Sequence, residues 1–257
     1  MKDTETYKSR KHFFDGMITL YGRNVVEEVL DDETVEVHAL HLAESNKKEG
    51  VIERITAKAA ARGVPLKYHA KAALSRISKN AKQDQGAAID IIAPTYRSAQ
   101  HLLENGEAGG RLLALDGIHN PQNLGMIIRS AAAGNIDGIL LPKQGSAKLS
   151  PLVMKASAGT LFRVPIYYCD TLPEILHGLK VKGYSVFGLS SHAQETIHTL
   201  SVPARTVFVL GNESEGMSEA VGALCTAQLS IPMRRGVESL NVAVTAALLA
   251  FLPVKGV

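Results

Sequence analysis

Three short segments of the chain combine glycine turns with side chains that can bind a ligand or assist a reaction. They are residues 115–131, 210–218 and 231–251. Their candidate catalytic side chains are Asn123, Arg129, Glu213, Ser239 and Asn241. Each segment follows an apolar, strand-like run, and open α/β sheets bind ligands at the carboxyl ends of their strands. Alone, each segment has an ordinary explanation as a turn, a surface charge or a helix cap; together they predict one site.

Several common chemistries have no signature here. The chain has no G-x-x-x-x-G-K-[ST] loop, no G-x-G-x-x-G that opens a helix after a strand and no G-x-S-x-G elbow. Its two cysteines, Cys169 and Cys225, have no Cys or His partner at metal-binding spacing. The sequence therefore argues against P-loop hydrolysis, hydride transfer on a Rossmann cofactor, a disulfide scaffold and a metal site.

Length and composition are those of an ordinary globular protein. The chain has 257 residues, of which 46% are hydrophobic and 21% charged, enough for one large domain or two small ones. Its first residues are polar and of mixed charge, without the apolar core of a secretory signal. The longest apolar stretch, residues 242–252, is shorter than the roughly 20 residues that a membrane-spanning helix needs. We therefore expect a cytoplasmic protein that does not enter a membrane.

Strand-like and helix-like runs alternate along the chain. Predicted strands cover residues 37–43, 64–68, 87–93, 111–117, 137–142, 164–169, 184–190, 206–212 and 227–233. Predicted helices cover residues 51–63, 69–79, 171–182 and 239–252, and two more begin at Asn120-Pro121 and Ser150-Pro151. This alternation predicts a doubly wound α/β fold with a mostly parallel sheet.

A polar, glycine-containing stretch interrupts this alternation after residue 94 and predicts a domain boundary. We predict an N-terminal arm over residues 1–17, a small α/β domain over 18–93, a linker over 94–110 and a larger domain over 111–257. The larger domain holds all three segments described above. The small domain is then free to select a partner.

Basic residues concentrate in the small domain, although the net charge of the chain is only +3. Residues 47–82 contain ten Lys or Arg and two acidic residues, whereas an acidic cluster lies just upstream, at residues 27–36. Arg54, Lys58 and Arg62 are four residues apart, so a helix would place them on one face. Such a stripe is typical of a surface that binds a phosphate backbone. The alternative is a solvated helix face.

Taken together, the three segments resemble the SpoU (TrmH-like) family of RNA ribose 2′-O-methyltransferases in the SPOUT superfamily. The first carries the family's N-x-G-x-x-x-R motif, the second its L-G-x-E-x-x-G motif and the third its I-P-M and E-S-L-N-V runs. The matching residues are Asn123, Gly125, Arg129, Leu210, Gly211, Glu213, Gly216, 231–233 and 238–242. The likeness spans residues 111–257 and includes the linking segment 150–165. Residues 18–93, with the run LYGRNVVEEVL near their start, are similar to the family's small ribosomal-protein-like substrate-binding domain.

This resemblance implies a fold and a cofactor that the pattern itself does not show. The larger domain would end in a deep trefoil knot, an exception to the rule that chains do not thread loops. The second and third motifs would form the knot and bind S-adenosylmethionine, with contacts from Leu210, Gly211, Ile231, Met233 and Leu240. The family is typically homodimeric, with active sites near the subunit contact. The apolar helix at residues 241–252 would contribute to that contact.

The resemblance also implies how the five candidate catalytic side chains act, since they would converge on the ribose oxygen that takes the methyl group. A guanidinium stays protonated, with a pKa above about 12. In the family the residue matching Arg129 is often proposed as the base; the alternative that we favour is that Arg129 binds the adjacent phosphate and stabilises developing negative charge. Asn123 precedes it by six residues and would have to occupy the leading turn of the helix to face the same ligand. The amides and Ser239 would orient the ribose, and Glu213 would hold Arg129 or the knot in place.

The expected substrate is RNA. A substrate domain placed before the catalytic domain resembles the enzymes of large-subunit (23S) ribosomal RNA, which often modify guanosine. Transfer RNA is the alternative within this class. Two rivals lie outside it: a methyltransferase that modifies a base, and a non-catalytic RNA-binding protein of the same fold. The intact N-x-G-x-x-x-R and S-L-N elements favour the ribose enzyme over both.

Overall fold

The computed structural model describes residues 17–33, 35–80, 83–92, 96–105 and 110–253. These residues form two compact units, which we call the N-terminal unit, up to Ile92, and the C-terminal unit, from Tyr96. The predicted N-terminal arm lies outside the described residues except for Met17, which begins the first strand. In the described stretches no helix is long and apolar enough to cross a bilayer.

The N-terminal unit is a four-stranded sheet covered by helices. In chain order its elements are β1 (Met17–Tyr21), α1 (Arg23–Asp31), β2 (Glu36–Ala43), α2 (Val51–Ala61), β3 (Leu66–His69), α3 (Lys71–Ser78) and β4 (Ala87–Ile92). The strand order is β1-β4-β2-β3. The two pairs that include β4 are antiparallel, and β2 pairs with β3 in parallel. The predicted small α/β fold is confirmed, with β1 and α1 as elements that the sequence pattern does not indicate.

Helices α1 and α2 pack against each other through narrow apolar faces. The buried residues are Val26, Val29 and Leu30 on α1, and Ile52, Ile55 and Ala59 on α2. Spacings of three and four residues place each set on one side of its helix. Polar side chains are therefore left at the rim of the contact, where the two helices face each other.

The three basic residues of α2 that were expected to bind phosphate lie at this rim, and each is bonded to α1 or to the turn after it. Arg54 donates from Nε to Oε1 of Glu27 at 2.7 Å and from Nη2 to Oε2 at 3.0 Å. Lys58 lies 2.7 Å from a carboxylate oxygen of Asp31 and 3.1 Å from one of Glu27. Arg62 donates to the main-chain carbonyls of Val29, Leu30, Asp32 and Val35.

The RNA contact at Arg54, Lys58 and Arg62 stays a prediction, but the structure pairs all three side chains within the unit. The three residues do share one side of α2, but their hydrogen-bonding groups are already used inside the unit. The acidic cluster upstream supplies two of the partners, because α1 folds back against α2. We call this set of contacts the α1–α2 clamp. It holds the unit together and is not an unpaired basic surface.

The C-terminal unit is built on an eight-stranded sheet in which every pair is parallel. Its strands are β5 (Tyr96–Ser98), β6 (Arg111–Leu115), β7 (Gly138–Pro142), β8 (Ile166–Cys169), β9 (Ser185–Leu189), β10 (Glu195–Thr196), β11 (Thr206–Leu210) and β12 (Ala227–Ser230). Its helices are α4 (Gln100–Asn105), α5 (Pro121–Ala133), α6 (Pro151–Ser157), α7 (Leu172–Val181), α8 (Glu219–Gly222) and α9 (Val242–Ala250). The strand order β10-β12-β9-β11-β6-β7-β8-β5 confirms the predicted parallel α/β sheet. The trefoil knot stays a prediction.

Part of the predicted linker belongs to this unit. Strand β5 pairs with β8 at the edge of the sheet, and α4 follows it. Leu102 of α4 is buried in the same core as Leu172 of α7. The linker prediction for residues 94–110 is thus wrong for residues 96–105, because a three-residue edge strand beside a short polar helix leaves no apolar run to detect. Residues 106–109 lie outside the described part.

The central strands position the predicted site. All five residues of β6 and all five of β11 are buried, which explains their continuous apolar runs, typical of strands covered on both faces. The two strands are neighbours, paired in register from Arg111 and Thr206 to Leu115 and Leu210. Just beyond them, the amide of Asp116 donates to the carbonyl of Leu210 at 2.8 Å. The loops that carry the first and second motifs therefore lie side by side.

Helices α5 and α9 lie side by side and run in the same direction. Their first turns meet where Nδ2 of Asn241 donates to Oδ1 of Asn123 at 3.1 Å. Their ends meet where the amide of Asn135 donates to the carbonyl of Ala250 at 2.6 Å. The third motif, at the start of α9, is thus aligned with the first motif, at the start of α5.

A buried arginine fixes the chain just beyond α9. The guanidinium of Arg111, at the start of β6, donates to the carbonyls of Leu252 and Pro253 at 2.7 and 2.6 Å. Nδ2 of Asn135 donates to the same Leu252 carbonyl at 3.2 Å. We call these contacts the C-terminal clamp. It anchors the end of α9 to the amino edge of the sheet, opposite the predicted site.

Candidate active site

The loop after β11, which carries the second motif, is a tight turn held by its own backbone. Asn212 and Gly216 exchange two main-chain hydrogen bonds of 2.8 and 2.9 Å. Oδ1 of Asn212 accepts from the amides of Ser214 and Glu215, and its Nδ2 donates to the carbonyl of Gly117 at 2.8 Å. The side chain of Asn212 therefore shapes this loop and joins it to the loop after β6.

Gly211 is the point of closest approach within this loop. A Cβ atom at this position would overlap the main chain of Gly216 and Met217. Gly216 has a φ of +74°, a left-handed conformation that glycine adopts without strain. The shape of the loop therefore requires both glycines of the second motif.

Glu213 is the residue at which the three motifs meet. Its Oε1 accepts a hydrogen bond from Nδ2 of Asn123 and another from Nδ2 of Asn241 at 3.3 Å. The two amides also bond to each other. We call these three residues, one from each motif, the amide–carboxylate cluster. It joins loops that are far apart in the sequence around one carboxylate.

Both amides of the cluster lie at helix starts. Asn123 is the third residue of α5 and is 4% exposed. Helix α5 begins as predicted, since Oδ1 of Asn120 accepts from the amide of Gln122 at 2.8 Å. Asn241 caps α9, with its Oδ1 accepting from the amide of Ala243 at 2.9 Å. The partial positive charge at two helix N-termini favours a carboxylate at this position.

An open cleft of about 990 Å³ lies at the carboxyl ends of β9, β11 and β12, a volume in the range of small-molecule sites. Every residue predicted to bind the cofactor lines it: Leu210, Gly211, Ile231, Met233 and Leu240. Glu213, Ser239 and Asn241 line it as well. The second and third motifs therefore form walls of one concave site, and the contacts with the cofactor itself stay predictions.

One wall of this cleft has no counterpart among the predicted site residues. It is formed by Ser190, Ser191 and His192, in the loop after β9. The hydroxyl of Ser191 lies 3.0 Å from Nδ1 of His192. Only the position of this run in the sequence could have indicated it, because the run follows a predicted strand, and ligands bind at the carboxyl ends of such strands.

Arg129 and Asn123 do not line the cleft. Arg129 is exposed on α5, and in the part of the chain that the structure describes no residue bonds its side chain. Glu213 was expected to hold Arg129 or the knot in place, and the bonds that its carboxylate makes within the described residues are to two amides. Asn123 does occupy the leading turn of its helix. The structure thus joins three of the five candidate catalytic residues, places Ser239 exposed in the cleft and leaves Arg129 outside it.

Helices α5 and α9 carry exposed apolar side chains. Val244, Leu248 and Phe251 are 48%, 39% and 60% exposed, and their spacing places them on one side of α9 and its last turn. Met126 on α5 is 41% exposed, and Arg129 follows three residues later on the same side of that helix. We call these residues the α5/α9 face. Exposed apolar patches of this kind mark interaction sites.

Comparison with known proteins identifies the family. Residues 110–251 match the SpoU rRNA methylase family, and residues 19–97 match the family described as RNA 2′-O ribose methyltransferase substrate binding. The first match alone covers more than half of the chain. The chain therefore belongs to the SpoU rRNA methylase family. The predicted family, α/β fold and class of RNA methyltransferase are confirmed.

Similar proteins span nearly the whole chain. The uncharacterized tRNA/rRNA methyltransferase of Mycobacterium sp. (strain KMS) is 34% identical over 228 residues, which are 88% of this chain and 72% of that protein. The 23S rRNA (guanosine-2′-O-)-methyltransferase RlmB of Xanthomonas campestris is 27% identical over 92% of this chain and 95% of its own length. The SpoU methyltransferase AviRb of Streptomyces viridochromogenes, solved with S-adenosylmethionine, shares the fold with a TM-score of 0.63 and 19% identity, covering 96% of this chain and 92% of that one.

Proposed function

We propose that the protein transfers a methyl group from S-adenosylmethionine to a ribose 2′-hydroxyl of large-subunit (23S) ribosomal RNA, and that the modified nucleotide is a guanosine. One observation carries this proposal: the amide–carboxylate cluster brings a residue from each motif to the edge of a single cleft. The named activity of the Xanthomonas relative, matched over 92% of this chain, supports the substrate. We include a cytoplasmic location in the proposal.

The cleft suits the methyl donor. Apolar side chains and the main chain of Gly211 line it; the apolar residues are Leu210, Ile231, Met233 and Leu240. When bound there, S-adenosylmethionine supplies a methyl group on a positively charged sulfur. These residues belong to the two loops in which the family resemblance places the trefoil knot, and we include the knot in the proposal.

Residues of the cleft then hold and orient the ribose. Both amides of the cluster bond to Oε1 of Glu213, which leaves Oε2 to accept a hydrogen bond from the ribose hydroxyl and favours departure of its proton. Ser239 is exposed in the cleft, and its hydroxyl both donates and accepts hydrogen bonds. Fixed orientation of the attacking oxygen is itself a large part of catalysis in a transfer of this kind.

We further propose a homodimer formed through the α5/α9 face. Helix α9 borders the cleft through Val242 and Thr245 and presents Val244 and Leu248 to solvent, so the cleft adjoins this face. A two-fold contact therefore brings Arg129 of each chain next to the cleft of the other. There its guanidinium binds the phosphate beside the reacting ribose and stabilises negative charge.

Methylation of purified ribosomal and transfer RNA with labelled S-adenosylmethionine tests the proposed activity. We expect label in 23S ribosomal RNA, on a guanosine whose linkage to the next nucleotide resists nuclease. Label confined to transfer RNA would replace the proposed substrate, and a methylated base would overturn the proposed reaction. A protein that binds RNA and donor but transfers no methyl group would be the non-catalytic alternative.

The pair Arg129→Ala and Arg129→Lys tests the proposed role of the guanidinium. We expect Arg129→Ala to lower turnover by about 100-fold or more, as for loss of other groups that stabilise developing charge. Arg129→Lys should recover little of it, because an ammonium lacks the planar fork that binds phosphate in two places. Affinity for S-adenosylmethionine, measured by calorimetry, should not change. Near-normal turnover in either variant would show that Arg129 is not central.

A further inference from the structure

The C-terminal unit contains a long stretch of sequence with very little negative charge. Residues 117–169 contain five Lys or Arg and a single acidic residue, Asp137. The Asp137 carboxylate accepts a hydrogen bond from the amide of Arg111 at 2.8 Å, at the amino edge of the sheet. The one acid of this stretch therefore lies at the amino ends of the strands, opposite the cleft.

Three of those five basic residues have neither a side-chain partner in the described part of the structure nor a role in the proposed reaction. Lys143 is paired with Asp170 at 3.0 Å, and Arg129 has its place in the proposed reaction. The remaining three are exposed, and their side chains form no hydrogen bond or ion pair with any residue that the structure describes: Lys148, Lys155 and Arg163. They differ in this from the basic residues of the α1–α2 clamp, whose partners lie within their own unit.

The segment that carries them is compact and firmly anchored. Consecutive turns run through it, with main-chain hydrogen bonds from Ala158 to Lys155 at 3.2 Å and from Arg163 to Thr160 at 3.0 Å. Leu161 and Val164, which flank the last turn, are 1% and 2% exposed. Lys155 and Arg163 therefore lie on neighbouring turns, which buried side chains anchor to the unit.

This segment is tied to the active site through α5. Gly125 of α5 packs so closely against α6 that a Cβ there would overlap Ala156 and the carbonyl of Val153. Two residues before Gly125, Asn123 donates to the carboxylate of Glu213. A surface on α6 is thus separated from the amide–carboxylate cluster by a single, rigidly packed helix.

We propose that Lys148, Lys155 and Arg163, which we call the α6 surface, bind the phosphate backbone of the RNA substrate. The inference rests on the proposed function and adds to it the place where the catalytic unit itself holds the RNA. Unpaired Lys and Arg side chains bind phosphates and release condensed cations, so affinity for RNA falls as salt concentration rises. Such contacts fix the position of the RNA without reading its sequence.

The experiment compares two double variants that each remove one Lys and one Arg. The test variant is Lys155→Gln with Arg163→Gln. The matched control is Lys182→Gln with Arg205→Gln, just before the amino ends of β9 and β11 on the opposite edge of the sheet. RNA affinity is measured from about 50 to 400 mM KCl, a range of about eightfold that gives the slope of log affinity against log salt. Melting temperature and affinity for S-adenosylmethionine report on folding and on the cleft.

The test variant should weaken RNA binding about tenfold or more at low salt and lower the magnitude of the salt slope by about 0.7 to 0.9 for each lost contact. The control should keep the wild-type affinity and slope. Should the double test variant fail to fold, Lys148→Gln, in an exposed loop, takes its place with an expected change of about 0.7 to 0.9. An unchanged slope in the folded test variant overturns the α6 surface while the wild-type enzyme still methylates RNA. A wild-type protein that neither binds nor methylates RNA overturns the proposed function itself.

Discussion

The carboxylate of Glu213 accepts hydrogen bonds from two amides that lie far apart in the sequence of the C-terminal unit. Asn123 and Asn241 are 118 positions apart, yet their side chains bond to each other and to the same oxygen. Asn123 donates to Glu213 and accepts from Asn241, so the orientation of its amide is set by its two neighbours. The cluster can therefore orient the carboxylate only while all three members are present.

Replacing Glu213 with glutamine tests this arrangement. Hydrogen bonds to a charged group contribute about 1.5 to 3 kcal/mol, and the substituted side chain would also offer an amide nitrogen where two donors already point. We expect Glu213→Gln to lower the single-turnover rate of methyl transfer by about 10-fold to 100-fold at saturating donor. The matched control is Glu174→Gln, an exposed change on α7. Equal rates for the two variants would contradict the proposed role of Glu213.

The sequence indicates the residues of the cleft better than it indicates the partners of single charged residues such as Arg54. Leu210 and Ile231, which the family resemblance implies as contacts of the cofactor, line the cleft, because the place of a motif after a strand fixes which loop it belongs to. The role of Arg54 could not be predicted from its spacing. Spacing tells which residues share a helix face, but not that Glu27, in the acidic cluster upstream, folds against that face.

The α1–α2 clamp gives the N-terminal unit a dependence on pH. The hydrogen bonds from Arg54 and then Lys58 lower the pKa of Glu27 from its ordinary 4.5 to about 2. A carboxyl group whose pKa is lower in the folded than in the unfolded state stabilises the fold above its unfolded pKa, and that stabilisation is lost as the pH falls through the folded pKa. The clamp therefore stabilises the unit at neutral pH and loses this effect between about pH 4.5 and 2.

Removing one side of the clamp should be visible at Glu27 itself. We expect Arg54→Met to raise the pKa of Glu27 from about 2 toward 4.5, because Arg54 is the largest cause of its lowering and Lys58 remains in place. Carbon-13 NMR titration of the carboxylate measures this change directly. Lys48→Met, at an exposed residue outside the clamp, should leave the titration as in the wild type. A Glu27 that still titrates near its wild-type pKa without Arg54 would contradict the assignment.

The C-terminal clamp should stabilise α9. Arg111→Met removes a donor from the carbonyl of Pro253 and one of the two donors from the carbonyl of Leu252, which keeps Asn135. Each lost hydrogen bond should cost about 0.5 to 1.5 kcal/mol. We expect faster hydrogen exchange in α9 and a melting temperature lower by several degrees. Arg205→Met removes an exposed arginine that makes one hydrogen bond and should change little. Wild-type exchange rates in the Arg111 variant would show that the clamp does not stabilise this helix.

The parallel strands were predictable because burial on both faces leaves continuous apolar runs, as in β6 and β11. Short edge strands were not. Strands β5 and β10 have three and two residues, and only their partners in the sheet, β8 and β12, define them. An element held mainly by pairing with a distant strand leaves little pattern in its own sequence.

At the level of the whole molecule, the proposed homodimer makes the α5/α9 face a requirement for activity. Leu248→Glu places a charge in the proposed subunit contact, so we expect a monomer in sedimentation velocity and a large loss of methyl transfer, with the melting temperature largely kept. Val181→Glu is the matched control, because Val181 is 77% exposed at the end of α7. A Leu248 variant that remains dimeric, or a monomer with full activity, would contradict the proposed arrangement.

The amide–carboxylate cluster also determines how late in translation the active site can form. Asn241 is the last of its members to be translated, and the C-terminal clamp needs the chain as far as Pro253. Domains fold as units during synthesis, the N-terminal one first. The unit that ends at Ile92 can thus be complete on the ribosome well before the chain can hold its methyl donor. A polypeptide truncated before Asn241 therefore lacks both the cluster and one wall of the cleft.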